Sequence, residues 1–171
     1  MARIISFTDA RARLTELVDD VEARHEHVVI TRNGRPAAVV VPAPEWQAIG
    51  ETLDVLRDEQ TLADLRQSAK DLKADRVFET LEPGPGAPRL RLTRRARDQL
   101  AALPDVAQQA VRETLRQIQL EPEGIGHRLS GLAWARMAGL WGARVGSYRV
   151  LYTIERQGVI VRAIRHGGAF T

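Results

Sequence analysis

Apolar residues occur in short runs with two alternating periods, and the switches between periods mark the elements. Ile4-Ile5 predicts a short strand, and Ser6-x-x-Asp9 sets a helix start like a capping box, with Asp in place of the usual Glu. Phe7, Ala10, Leu14, Leu17, Val18 and Val21 then recur at helical spacing and predict one apolar face. His27 to Thr31 is β-branched and strand-like, with His25 and His27 expected to be solvated. Asn33-Gly34 is a strong hairpin signal, and Ala37 to Val41 returns as a second strand. Pro42 stops that strand, and Pro44 suits the first turn of a helix carrying Trp46, Ile49, Leu53 and Leu56. Trp46 is expected to cover the sheet of its own domain. A further helical stretch carries Leu62, Leu65, Ala69 and Leu72, a narrow stripe in an acidic background. Val77, Phe78 and Leu81 are apolar residues in a polar segment and predict irregular chain. Pro83 to Pro88 can continue neither helix nor strand well and reads as a linker.

Beyond the linker the pattern restarts. Leu90-Arg91-Leu92 alternates as a short strand, and Thr93 can cap a helix with Ala96, Leu100 and Leu103 inward. Pro104-Asp105 opens a second helix, with Val106, Ala110, Val111, Leu115 and Ile118 inward, that ends near Glu121-Pro122. Residues 124–139 are looser. Leu140 to Val145, Tyr148 to Glu155 and Val159 to Ile164 predict three strands, separated by Gly146-Ser147 and Gln157-Gly158. The order β-α-α-β-β-β implies an antiparallel sheet with a helical pair on one face, so the fold class is α+β. The expected divisions are a first domain at 1–50, an acidic helical tail at 51–82, a linker at 83–88 and a second domain at 89–171.

Charge sharpens this division. Residues 1–88 carry 11 Lys+Arg against 16 Asp+Glu, net −5, whereas residues 89–171 carry 14 Arg, no Lys, and 6 Asp+Glu, net +8. The overall +3 and pI of 9.9 conceal a basic, anion-seeking module joined to an acidic one able to cover it. With no cysteine there is neither a disulfide framework nor a cysteine-ligated metal. No apolar run approaches the ~20 residues of a membrane span, and the amino terminus lacks the long apolar stretch of a signal peptide, so the cytoplasm is the expected compartment and no membrane contact is expected.

Two motifs in the first half carry a resemblance. Ile5-Ser6-Phe7-Thr8-Asp9-Ala10-Arg11-Ala12-Arg13-Leu14, followed by Val29 to Val41 with its Arg32-Asn33-Gly34-Arg35-Pro36 turn, resembles the Phd/YefM family of antitoxins over roughly the first 50 residues. The resemblance implies a DNA-binding and dimerising α/β domain that represses its own operon at a palindromic operator. It also implies a tail, here Leu53 to Leu72, that wraps a toxin. Arg11 and Arg32 correspond to the family's proposed DNA contacts, with Arg13, Asn33 and Arg35 as weaker candidates. In a two-fold dimer each cluster appears twice, as paired half-sites require. The tail contacts implied are Leu53, Leu56, Leu62, Leu65 and Leu72.

In the second half, Arg144 to Tyr152, Leu120 to Gly124 with Leu129 to Gly131 beyond it, and Leu92-Thr93-Arg94-Arg95-Ala96-Arg97 resemble the RelE/ParE toxin superfamily. RelE-type members are ribosome-dependent messenger-RNA endonucleases, and ParE-type members poison DNA gyrase. RNA cleavage without metal or cofactor needs a base for the 2′-OH, a stabiliser of the anionic phosphorane and an acid for the leaving oxygen. The resemblance assigns Arg149 to the phosphorane; Arg144, on a neighbouring strand, is a candidate phosphate ligand. Family members commonly finish His-Arg-x-x-x-Tyr, whereas this chain reads His166-Gly167-Gly168-Ala169-Phe170-Thr171, without the second Arg and the Tyr. His166 is the remaining group there able to exchange a proton near neutral pH. Trp134 and Trp141 are expected to pack rather than to stack on a base.

The resulting expectation is a fused toxin–antitoxin protein whose first half represses transcription and neutralises a weak or inactive RelE-like second half. Its expected partners are operator DNA, a second copy of the chain, and the ribosome with its mRNA. Alternatives are an active ribonuclease with an inhibitory prodomain, a ParE-like gyrase inhibitor, and a transcription factor whose second half is only a scaffold. A six-residue linker reaches at most ~20 Å, at ~3.3–3.6 Å per residue, which leaves the tail either its own second half or a dimer mate's.

Overall fold

The computed structural model describes residues 3–81, 88–129 and 139–167. Its chain divides into two compact units, Met1–Gln47 and Ala48–Thr171.

The first unit holds β1 (Arg3–Ser6), α1 (Phe7–Ala12), α2 (Leu14–Arg24), β2 (Val28–Arg32) and β3 (Arg35–Val40). The strands form a three-stranded sheet in the order β1-β2-β3, with β1–β2 parallel and β2–β3 antiparallel. Ser6 caps α1 by accepting from the Asp9 amide, as the sequence pattern predicts. The single helix expected from Phe7 onwards breaks at Arg13 (φ −127°, ψ 34°), so α1 and α2 run as two rods. The turn between β2 and β3 places Asn33 and Gly34 at φ 51° and 75°, the left-handed pair that such a hairpin requires. Ala10, Leu17, Val21 and Val28 form the small core, with Ile5, Ile30 and Val40 against it. Half of the expected apolar face stays outside that core: Phe7, Leu14 and Val18 are exposed, and so are Ile4, Val39 and Trp46. Trp46 therefore does not cover its own sheet. His27 is not simply solvated, because its Nε2 lies 2.8 Å from Glu45 Oε2.

The division between units falls within α3 (Ala43–Arg57). The second unit continues with α4 (Glu59–Lys73), β4 (Val77–Leu81), β5 (Arg89–Thr93), α5 (Arg94–Ala101), α6 (Asp105–Leu120), α7 (Pro122–Ile125), β6 (His127–Arg128), β7 (Leu140–Val145), β8 (Tyr148–Glu155) and β9 (Gly158–His166). Six strands form one sheet in the order β4-β5-β9-β8-β7-β6. All pairings are antiparallel except β5–β9, which is parallel. The segment expected to be irregular at Val77–Leu81 is thus an edge strand, satisfied by pairing with β5 across the linker.

The sheet is covered on both faces. On one, α5 and α6 close a core of Leu90, Leu92, Ala96, Leu100, Val111, Leu115, Ile118, Val150, Tyr152, Val161 and Ile164. Val106, expected inward, is exposed at the start of α6. On the other face, Val55 and Leu65 pack with Leu129, Leu140, Leu151 and Ala163, flanked by Leu56 and Leu62. The alternation of β8 explains the split: Val150 and Tyr152 point to the helical pair, Leu151 to the tail. No helix among the described residues is long and apolar enough to cross a membrane.

Leu65, buried to 1% exposure, is the central apolar contact of the tail. Leu65→Ala is expected to lower the unfolding free energy of the second unit by ~2–5 kcal/mol, read by denaturant titration.

Candidate functional site

Three arginines stand in one cross-strand row. Arg144 on β7 is in register with Arg149 on β8, and Arg149 with Arg165 on β9. Like charges directly opposite one another on a sheet repel, so the row needs compensation. It comes from α3 and α4, whose buried side chains face the same surface. Asp54 Oδ2 accepts from Arg149 Nη2 at 2.8 Å and lies 3.7 Å from Arg144 Nη2. Glu51 Oε1 lies 3.6 Å from Arg144 Nε. Asp64 Oδ2 lies 3.4 Å from Arg165 Nη1, and Asp58 stands beyond it at 4.0 Å. Arg149 is 5% exposed, so its charge is almost wholly desolvated and depends on Asp54.

The buried stripe of α4 is mostly polar: Thr61, Asp64, Leu65, Ser68 and Asp71. Each polar member has a partner. Asp64 Oδ1 accepts from Arg95 Nε at 2.8 Å, and its Oδ2 from Gln99 Nε2 at 2.6 Å. Ser68 Oγ accepts from Arg162 Nε at 2.7 Å. Asp71 accepts from Arg76 and from the Arg95 amide. Burial lowers the affinity of Arg162 for its proton. Arg162 reaches this face because the β8–β9 register shifts between Leu151 and Tyr152, which leaves Arg162 opposite no residue.

At the end of the row, Arg149, Arg165, His166 and Gly167 line a small cleft with Asp54, Arg57, Asp58 and Thr61. The exposed His166 ring meets Tyr148 edge-on, with centroids 5.4 Å apart. Gly167 donates its amide to Ser147 O at 2.7 Å, and a Cβ placed there would sit 3.7–3.9 Å from Arg149, in ordinary contact. Two guanidiniums with an imidazole beside them can hold a phosphoryl group and exchange a proton with it.

Residues 2–75 match the family model for the antitoxin Phd_YefM of type II toxin–antitoxin systems, and residues 90–169 match that for the ParE toxin of the parDE type II system. The chain is 40% identical over 73 residues to antitoxin RelB of Mycobacterium tuberculosis, which covers 43% of this chain and 82% of RelB. It is 33% identical over 76 residues to antitoxin RelF of the same organism, covering 44% of this chain and 82% of RelF. The crystal structure of the M. tuberculosis toxin–antitoxin complex RelBE2 aligns with 31% identity and a TM-score of 0.42, over 47% of this chain and 98% of that one. The chain belongs to the Phd/YefM antitoxin family and continues into a RelE/ParE-type toxin. It is a type II toxin–antitoxin module in a single polypeptide.

On the antitoxin part, Arg11 lies in the last turn of α1, Arg13 at the break and bonded to Glu16 at 2.8 Å, and Arg32 and Arg35 opposite each other across the hairpin that carries Asn33. All four arginines are exposed at least in part, and Arg32 lies 5.8 Å over the Phe7 ring. In the tail, Leu65 is buried and Leu56, Leu62 and Leu72 are partly buried. Leu53 is 42% exposed and makes no part of the tail's apolar contact; Val55, at 0%, takes that place, because α3 turns its Thr52–Val55 side to the sheet. On the toxin part, the cleft brings Arg149 and His166 together, and Arg144 stands outside it at the other end of the row. Trp141 stacks on Tyr152, centroids 6.5 Å apart, on the helical side of the sheet. The linker residues 83–87, Gly131, Trp134, Phe170 and Thr171 lie outside the described residues.

The sequence reading passed over Arg165, Arg162 and Arg95, and every tail carboxylate that meets them. The signal was available: Asp54 and Asp58 lie four residues apart, and Asp64 and Asp71 seven, alongside the leucines.

Asp58 caps α4, accepting from the amides of Gln60 and Thr61 and from the Thr61 hydroxyl. Burial pushes its carboxyl up, but the Thr61 bonds and Arg165 outweigh that and hold it below the usual carboxylate range. A depressed folded-state pKa contributes stability above the unfolded value of ~4 and loses it as pH falls through the folded value. Asp58→Ala is therefore expected to cost ~1 kcal/mol at neutral pH. The gap to the parent chain should close below about pH 4 in denaturant titrations.

Proposed function

We propose that the antitoxin part binds operator DNA as a dimer and represses transcription, and that its tail neutralises the toxin part by holding the guanidiniums it would use on a polyanion. The observation that carries the second statement is the bond from Arg149 to Asp54. A phosphate and the Asp54 carboxylate compete for the same donor, and the apolar contacts of Val55 and Leu65 keep the carboxylate in place.

The substrate class favoured is messenger RNA on the ribosome. Arg149 stabilises the phosphorane, Arg165 beside it binds a flanking phosphate, and His166 exchanges the proton. The set is short of the RelE pattern by an Arg at Gly167 and a Tyr at Thr171. Losing one preorganised charge stabiliser costs ~10²–10³ in rate, and losing a proton-transfer group ~10²–10⁴ more, so the exposed toxin part is weak. A second reading, a ParE-like action on gyrase, is favoured by the ParE model matched over residues 90–169 and needs neither missing group.

The test opens the tail in the full chain. Leu62→Asp, Leu65→Asp and Leu72→Asp together are expected to slow bacterial growth weakly on induction. Adding Gly167→Arg and Thr171→Tyr should deepen the arrest and yield cleaved messages, and Arg149→Ala should abolish it. Unchanged growth in all these strains would overturn the neutralisation reading; arrest with intact messages would favour gyrase.

For the antitoxin part, Arg11→Ala with Arg32→Ala is expected to weaken binding to the chain's own promoter. It should also flatten the slope of log affinity against log salt by roughly one unit per lost phosphate contact. An unchanged gel-shift titration would remove these arginines from the DNA interface.

A further inference from the structure

Glu51 is an odd residue to bury. It is 6% exposed, and its Oε2 has no hydrogen-bond partner among the described residues. Among the described residues its ion-pair partner is Arg144, whose Nε stands 3.6 Å from Oε1, beyond a good charge-assisted bond. Burial raises its pKa against the pull of Arg149, His127 and Arg144. A buried, half-satisfied carboxylate contributes little or nothing to net stability. Its position is nevertheless sharply defined. Oε2 lies against Gly142 in the middle of β7, where a Cβ would stand 2.7 Å from that oxygen and 3.5 Å from Leu129 Cδ2. Gly142 is fully inside the sheet, paired with His127 on one side and Leu151 on the other. Glycine weakens a strand interior and commonly marks a close approach by another group. Here the group that approaches is a tail carboxylate.

We propose that Glu51 and Gly142 are the selectivity pair of this module: the bare strand at Gly142 admits the Glu51 carboxylate, so this tail seats only on a sheet that has no side chain there. The inference rests on the reading that the tail covers the toxin part, and it adds which residues decide whether a given tail fits a given toxin. Leu65 and Val55 supply adhesion that any apolar groove would accept. The Glu51 carboxylate supplies rejection, since a side chain at this position would stand within 2.7 Å of Oε2 and force a buried carboxylate out of its slot. Glu51 thus acts through what it excludes.

The experiment is hydrogen exchange on the full chain, comparing α3–α4 peptides (residues 48–73) with α6 peptides (105–120). Gly142→Val suits the strand and fills the slot. It is expected to speed exchange in 48–73 by about tenfold or more while leaving 105–120 protected. Glu51→Ala alone is expected to leave 48–73 protected, because it removes an unpaired buried oxygen. The double variant Glu51→Ala with Gly142→Val should return to within about threefold of the parent chain. Unchanged exchange in Gly142→Val overturns the pair, and so does a rise that Glu51→Ala does not reverse, since the clash then lies with another neighbour. Leu65→Asp separates the two levels. If it opens 48–73 while Gly142→Val does not, only the selectivity pair fails; if neither opens it, the covering tail fails as well.

Discussion

Three guanidiniums in register across β7, β8 and β9 set the terms for the rest of the second unit. A sheet face holding Arg144, Arg149 and Arg165 in a row, with Arg162 added by the β-bulge, cannot be covered by an ordinary amphipathic helix. An apolar stripe would strip water from the charges and return nothing. The cover therefore has to bring carboxylates and hydroxyls at helical spacing. That is what α3 and α4 present: Glu51, Asp54, Asp64, Ser68 and Asp71, with Val55 and Leu65 in the gaps. The apolar residues remove hydrocarbon surface from water, which supplies the non-directional part of the attraction. Asp54, Asp64 and Asp71 fix register, because each meets a donor at a definite place.

The same constraint explains what could be read in the sequence and what could not. The strands at 140–166 were legible because alternation and the turns at Gly146-Ser147 and Gln157-Gly158 depend on local chain alone. So was the opposition of charge between the halves. The strand at Val77–Leu81 was not, because its hydrogen bonds are to β5, across the linker, and nothing in five residues announces a partner. Of the leucines expected at the tail contact, Leu65 is buried against the sheet and Leu53 is exposed. Periodicity looks for apolar positions, whereas the buried side of α4 is largely polar and that of α3 includes Glu51 and Thr52. Arg149 was reached through resemblance. Arg165 was not, because its place beside Arg149 is a matter of strand register.

The two faces of the sheet differ in how completely their polar groups are satisfied. Tyr152, on the helical side, donates its hydroxyl to Pro122 O. The unpartnered buried polar atoms among the described residues are Glu51 Oε2, Arg149 Nε, Arg165 Nε and Thr153 Oγ1. Glu51 and the two arginines belong to the charged row, and Thr153 follows Arg149 and Leu151 on the tail side by strand alternation. Buried polar groups in a permanent core are nearly all paired. The tail-facing side of the sheet therefore keeps donors that its cover does not fully match. The unspent donors make this cover less stable than a fully paired one.

Covalent continuity shifts that balance back. The tail is held at two separate places: by the charged row under α3 and α4, and by β4, which pairs with β5 at the sheet edge while Arg76 O accepts from the Arg94 amide. Arg97 lies 3.9 Å over the Phe78 ring and fastens the edge strand to α5. If α4 lifts, β4 still tethers it within reach, so reclosure is intramolecular at an effective concentration of about mM or higher. If β4 frays, the carboxylate row remains seated. Lasting exposure of Arg149 and Arg165 therefore requires both attachments to fail, because a lifted helix that is still tethered recloses. A diffusible antitoxin of the same sequence would have to attain that occupancy by affinity alone. Fusion relieves the tail of that demand, which is how it can tolerate a buried Glu51 Oε2 without a hydrogen bond.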